Sequence, residues 1–165
     1  MTDATEQNQP VYSIEKIYVK DLSLEIPNAP QIFLEREAPN VDVQLHHTSV
    51  KVDEGVFQTE LTLTVTAKIG EKTMFLVEAN QAGIFAIRNV PEADLDPILG
   101  IGNPNILYTY VRETVSDAIV RAGFPPVLLN PVNFEALYQA QKQHEAQQAA
   151  AAPAGTPAVA PVVTH

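Results

Sequence analysis

The chain has 165 residues, 20 acidic and 10 basic side chains, and a formal charge of -10, so it lacks the basic surface that phosphate backbones or anionic lipid require. It contains no cysteine, which excludes disulfides, thiol nucleophiles and Cys-ligated metal centres within it. That length allows one domain with tails.

Residues 1–10, MTDATEQNQP, carry two acids and neither a basic residue nor an apolar segment. They do not read as a secretory signal and are expected to form a disordered lead. No apolar run approaches the ~20 residues that span a bilayer. A cytoplasmic location is the expectation from both features.

Val11 to Ile26 reads as a long strand. Ile17 and Val19 are apolar at odd positions, Leu22, Leu24 and Ile26 at even ones. A bulge near Lys20-Asp21 would account for the change of phase, because one extra residue exchanges the faces. Beyond it Asp21, Ser23 and Glu25 share a polar face. Pro27-Asn28-Ala29-Pro30 cannot continue a ladder and opens a long connection.

A second strand is expected from Val41 to Val52, with Val41, Val43 and Leu45 on one face and a slip near His47. His46 and His47 point to opposite faces and cannot chelate one metal together. Asp53-Glu54-Gly55 reads as a hairpin loop. The third strand alternates strictly, Phe57 through Ile69 apolar on odd positions and Gln58 through Lys68 polar on even ones, as in a sheet packed on one side and wet on the other. Gly70-Glu71 suits a two-residue turn, and Thr73 to Ile87 returns as a fourth strand. Three hairpin-linked strands after one long connection predict an antiparallel four-stranded sheet in Greek-key order. The first strand is then an exposed edge, free to pair with another subunit.

Val90 to Asn103, with Pro91, Pro97, Gly100 and Gly102, is expected as a loop. Gly100-Ile101-Gly102 lacks the remainder of a phosphate-loop pattern, and Glu92, Asp94 and Asp96 lack that of a calcium loop. Asn103-Pro104 is a start signal for a helix that Gly123 and Pro125-Pro126 stop. One apolar row on it is Leu107, Val111, Ala118 and Ala122; another is Tyr108, Val115 and Ile119. Two rows imply burial by the chain's own sheet and by a second subunit. Tyr108, Arg112, Val115 and Ile119 are the expected oligomer contacts, Arg112 pairing a carboxylate there; a helix deeply buried in a monomer is the alternative. Asn130-Pro131 starts a second helix with Phe134, Leu137 and Tyr138 on one face. Strands followed by helices make the class α+β. The domain is expected over residues 11–145, with a disordered Ala/Pro-rich tail over 146–165.

Lys20-Asp21, Glu25 through Pro30, Phe75 through Glu78, Ala82 through Phe85, Pro104 through Leu107, Tyr110, Arg112-Glu113, Phe124-Pro125 and Pro131 through Leu137 occur in one order along the chain. In that set the chain resembles the SecB family of protein-export chaperones. Ala82 replaces a common glycine of the family pattern, and Tyr108-Thr109 its usual Phe-Pro. The resemblance implies a tetramer, a dimer of dimers with helices between two sheets. It implies an ATP-independent holding chaperone without catalytic site, metal or cofactor, which keeps precursor proteins unfolded and passes them to the SecA motor ATPase. Asp21, Glu25, Leu76 and Glu78 would then dock the motor's basic, zinc-bearing tail. Val41, Val43 and Leu45, with Phe134, Leu137 and Tyr138, would line the client groove. A purely structural or adaptor oligomer is the competing reading.

Overall fold

The computed structural model describes residues 8–151. Four antiparallel strands, β1 (Val11–Glu25), β2 (Asn40–Asp53), β3 (Val56–Ile69) and β4 (Lys72–Arg88), form one sheet in the order β1-β4-β3-β2. The last strand thus lies beside the first, and β1 and β2 are the two edges. A 3-10 turn at Gln31–Leu34 lies on the connection between β1 and β2.

The phase change of β1 has the expected cause. Its register against β4 shifts between Val19 and Asp21, leaving Lys20 as an extra residue. A second shift between Ile14 and Lys16 was not anticipated, although apolar Tyr12 and Ile14 at even positions before Ile17 signal it. Two bulges exchange the faces twice, so Tyr12, Ile14, Ile17, Val19, Leu22 and Leu24 all lie on the inner, helix-covered side. The slip expected near His47 does not occur. β2 pairs continuously from Asn40 to Lys51 and shifts only before Asp53. Leu45, His47 and Ser49 keep one face opposite Leu63, Leu61 and Thr59, and Val50 and Val52 are simply exposed on the other. The Glu54-Gly55 and Gly70-Glu71 turns form as read, with Gly55 and Gly70 at φ 66° and 58°.

Three helices follow: α1 (Glu92–Pro97), α2 (Asn103–Arg121) and α3 (Phe134–Ala151). The segment expected as a loop before α2 is helical instead. α1 runs into a π-helical turn, Ile98–Gly102, which continues into α2. Pro97 does not break this run, because Leu95, Ile98, Leu99 and Ile101 pack on the core and tertiary burial overrides a weak local preference. Asn103 is correspondingly no N-cap: it has helical dihedrals and is fully buried. α2 stops where expected, at Gly123 with φ 91°, and the Phe124 N–H donates to the Ile119 carbonyl at 3.2 Å.

α2 lies across β3 and β4. Its two expected apolar rows merge into one stripe, Leu107, Tyr108, Val111, Val115, Ala118 and Ile119, all buried against the inner sheet face. Val115 and Ile119 are wholly inaccessible within the single subunit. The apolar residues α2 leaves outside are Tyr110 and Val120, each about half exposed. α3 begins three residues later than the Asn130-Pro131 signal, with Asn133 Oδ1 accepting the Ala136 N–H at 3.0 Å; a side-chain acceptor is worth more there than a proline start. α3 continues to Ala151, past the boundary expected at residue 145. The expected disordered lead and tail otherwise fall largely outside the described residues.

A polar chain, buried at Asn103 and Thr59 and partly exposed at its ends, runs into the core. The Tyr12 hydroxyl donates to Asn103 Oδ1 at 2.7 Å, and Asn103 Nδ2 donates to Thr59 Oγ1 at 3.0 Å. Thr59 Oγ1 lies 2.8 Å from Ser49 Oγ, which also approaches the Leu99 carbonyl at 3.4 Å. It joins β1, α2, β3, β2 and the π-helical turn. Burying these groups is tolerable because each has a partner.

Candidate docking face and client groove

The outer sheet face is built by register. Glu25 pairs with Leu76, Ser23 with Glu78 and Asp21 with Asn80. Core residues Phe75, Val77 and Ala79 alternate with these on β4, so Asp21, Glu25, Leu76 and Glu78 share the side away from the helices. The Glu78 carboxylate accepts from the Thr64 hydroxyl at 2.9 Å; Asp21 and Glu25 are exposed.

Beside this row lies a cluster that pattern reading did not single out. Glu60 of β3 accepts from the Lys20 ammonium, from Asn80 Nδ2 at 2.8 Å and from Gln58 Nε2 at 2.6 Å. The Tyr18 hydroxyl in turn donates to Gln58 Oε1 at 2.6 Å. The Lys20 ammonium, with help from Asn80, holds the Glu60 carboxyl below the usual carboxylate range. The bulge makes the contact possible, since it leaves Lys20 outside the ladder. Alternation shows Glu60 on the wet face, but only strand order shows that Lys20 can reach it.

The inner face is incompletely covered. Val41, Val43 and Leu45 oppose Ala67, Val65 and Leu63 of β3, yet α2 sits over β3 and β4. Val41 and Val43 remain 37% and 45% exposed, with Leu45 half-buried. Farther along β2, His47, Thr48 and Ser49 face Leu99, Gly100, Tyr138 and Lys142 across an open cleft of about 360 Å³. Burial holds the His47 imidazole below its ordinary pKa.

Gly100 lets the Tyr138 ring approach: a Cβ there would meet the ring at 2.6 Å. The Tyr138 hydroxyl donates to Asp96 Oδ2 at 2.5 Å, and Lys142 Nζ lies 2.9 Å from the same oxygen. Those two bonds hold Asp96 below the ordinary carboxylate range and fasten α3 to α1. Of the three α3 residues expected in the groove, Tyr138 lines this cleft and Leu137 is half exposed. Phe134 does not present a client surface in the subunit. It is 3% exposed and packs edge-on against Tyr108, ring centroids 5.7 Å apart, because it starts α3 directly beneath the connector that the Tyr108 hydroxyl ties down at the Asn130 carbonyl, 2.6 Å away.

Of the residues expected at an oligomer contact, Tyr108, Val115 and Ile119 are buried inside the subunit, while Arg112 stays partly exposed. Tyr108, Val115 and Ile119 belong to the core, and the Arg112 guanidinium sits 5.4 Å from the Tyr108 ring centroid as a cation–π contact. The exposed apolar row is instead on edge strand β1. Tyr12, Ile14, Val19, Leu22 and Leu24 are 37–47% exposed, and the last three line a cleft of about 510 Å³ with Thr114, Ala118 and Arg121 of α2.

Residues 5–145 match the family model for SecB, preprotein translocase subunit SecB. The chain belongs to the SecB family. It is 60% identical over 144 residues to the protein-export protein SecB of Methylobacillus flagellatus, covering 87% of this chain and 92% of that one. Against the protein-export protein SecB of Nitrosospira multiformis it is 63% identical over 145 residues, 88% of this chain and 91% of the other. The fold matches a SecB-like chaperone of Mycobacterium tuberculosis solved in complex with a ChAD peptide from the HigA1 antitoxin, with a TM-score of 0.62, 16% identity, and 73% and 90% of the two chains covered. As a SecB-family chain this protein is an export chaperone, not an enzyme. None of its helices within the described residues is long and apolar enough to cross a membrane.

Proposed function

We propose that this SecB-family chain holds precursor proteins unfolded without ATP, in the cytoplasm, and hands them to the SecA motor ATPase. The carrying observation is the inner face of β2, where Val41 and Val43 stay open at the sheet edge while α2 covers the neighbouring strands. An extended client can bury side chains there, each worth ~1.5–3 kcal/mol when fully buried. Leu137 and Tyr138 extend the groove; Phe134 supports it from beneath. The tetramer of the family fits the exposed apolar row of β1, whose unpaired edge can join a second copy.

Changing Val41, Val43 and Leu45 together to alanine should weaken binding of an unfolded precursor at least about 10-fold. The two valines are half exposed, so only ~0.8 kcal/mol per lost methylene is at stake in the fold, and less where water already reaches. Melting temperature, sedimentation and client affinity are measured on one sample. Normal client binding by the triple variant would reject the groove.

Docking to the motor is assigned to Asp21, Glu25, Leu76 and Glu78. Exposed charge pairs contribute ~0.2–1 kcal/mol each and are screened by salt. Neutralising Asp21, Glu25 and Glu78 to alanine should therefore lower affinity for the motor's basic, zinc-bearing tail about 5–50-fold, and salt should do the same to the unmodified protein. Calorimetry showing equal affinity for the triple variant would remove the docking face.

A further inference from the structure

We propose that the segment from Ala152 to His165, which lies beyond the described residues, docks into the client groove of its own subunit and occupies it until an unfolded precursor displaces it. The inference rests on the client-groove reading above and adds what fills that groove when no client is bound. The segment follows α3, which ends at Ala151 and whose Tyr138 lines the cleft.

Three observations carry it. The groove is open: Val41, Val43 and Leu137 are 37%, 45% and 49% exposed. Its charged groups are already engaged, since Lys142 Nζ lies 2.9 Å from Asp96 Oδ2 and burial favours the neutral form of His47, so an uncharged apolar peptide suits it. The segment has that chemistry. After Glu145 the sequence carries no Asp, Glu, Lys or Arg, and Val159, Val162 and Val163 stand within it. On a chain of net charge -10 it is a stretch that the acidic surface does not repel. Finally, the length fits. From Tyr138 to Ala151 the helix runs ~20 Å at ~1.5 Å per residue, and residues 152–159, extended, reach up to ~26 Å at ~3.3 Å per residue. Val159 can therefore return to the cleft, and residues 160–163, another ~13 Å, match the distance along β2 from His47 to Val43. Pro153, Pro157 and Pro161 have no N–H, so the segment cannot add a regular ladder to the free edge of β2. Its hold is through side chains and weak. Tethering compensates, because a short linker supplies an effective concentration in the mM range, and a longer apolar client still displaces it.

The test uses the full chain with Val159, Val162 and Val163 changed together to serine. Affinity for an unfolded precursor should rise about 2–5-fold, as it does when an occupant leaves about a fifth to a half of the grooves free, with melting temperature and sedimentation unchanged. Because the chain has no cysteine, His165→Cys supplies a single attachment point for a spin label. The label should broaden the methyl signals of Val41, Val43 and Leu137 in NMR spectra, less so after the serine changes, and not once saturating precursor is added. Absence of broadening overturns the proposal, whatever the affinity. Mixing spin-labelled subunits with isotope-labelled, spin-free ones separates a subunit's own groove from its neighbour's: broadening that persists undiminished in the spin-free subunits places the segment in a neighbour and also overturns it. If the groove reading is the one at fault, the label still broadens these methyls, but precursor does not displace it and the serine variant binds precursor as the unmodified chain does.

Discussion

Val115→Asp should unfold the subunit, not merely separate it from its partners. Val115 is wholly inaccessible and sits in the stripe that α2 packs on the sheet. An aspartate there is buried within the hydrophobic core cluster, and an unpaired buried charge belongs to the class of substitutions that cost more than about 4 kcal/mol. That is a large fraction of the ~5–15 kcal/mol that stabilises an ordinary domain. Circular dichroism should show lost native structure, and the protein should aggregate. Leu22→Asp is the contrasting substitution. Leu22 is 47% exposed on the inner face of edge strand β1, so its aspartate stays solvated in an isolated subunit. It should keep the native spectrum while sedimenting as a smaller species, because the charge would be stranded only when a second copy covers the row. A Val115→Asp protein that remains folded but dissociated would mean that α2, and not β1, faces the partner.

Asn103→Ala should cost ~2–4 kcal/mol in urea unfolding. It deletes the central member of the polar chain that links Tyr12 to Thr59, removing two hydrogen bonds worth ~0.5–1.5 kcal/mol each and the packing of a fully buried side chain. Tyr12 is 44% exposed and can turn to water, whereas Thr59 is inaccessible and keeps Ser49 as a partner. Asn103 also sits where the π-helical turn becomes α2, so hydrogen exchange should quicken over Ile98–Gly102 and disturb the cleft that Gly100 and Tyr138 share. Pairing Asn103→Leu with Thr59→Val should cost less than the sum of the single changes, since the bond between the two is then lost once and neither end of it is left unpaired. A loss below ~0.5 kcal/mol for Asn103→Ala would show that the chain of hydrogen bonds does not support this junction.

The separation of these two residues follows from what kind of information each element carries. Strict alternation from Phe57 to Ile69 determines which side of β3 is dry, because strand side chains alternate with period two whatever lies around them. The change of parity across Lys20 likewise reveals a bulge, and glycines at 55, 70 and 123 mark turns that need positive φ. With strand order inferred from loop lengths, the juxtaposition of Asp21 and Glu25 with Glu78 was legible before any coordinates. The motif order from Lys20 to Leu137 made the family legible as well.

Other features were decided only when elements met. Whether Leu107 and Tyr108 form two faces or one depends on how wide a stripe the sheet can cover, and a twisted sheet flanked by the connector at Phe124 covers both. Pro91, Pro97 and two glycines argue locally for a loop at Val90–Asn103, yet burial of Leu95, Ile98, Leu99 and Ile101 outweighs that preference and makes it helical. Asn103 reads locally as a cap, and its real role depends on Thr59, 44 residues away. Lys20 and Glu60, 40 residues apart, meet only because β4 returns between β1 and β3 and a bulge frees the lysine. Local pattern fixes the face a side chain takes; the partner it finds there is set by strand order and packing, which no single segment encodes.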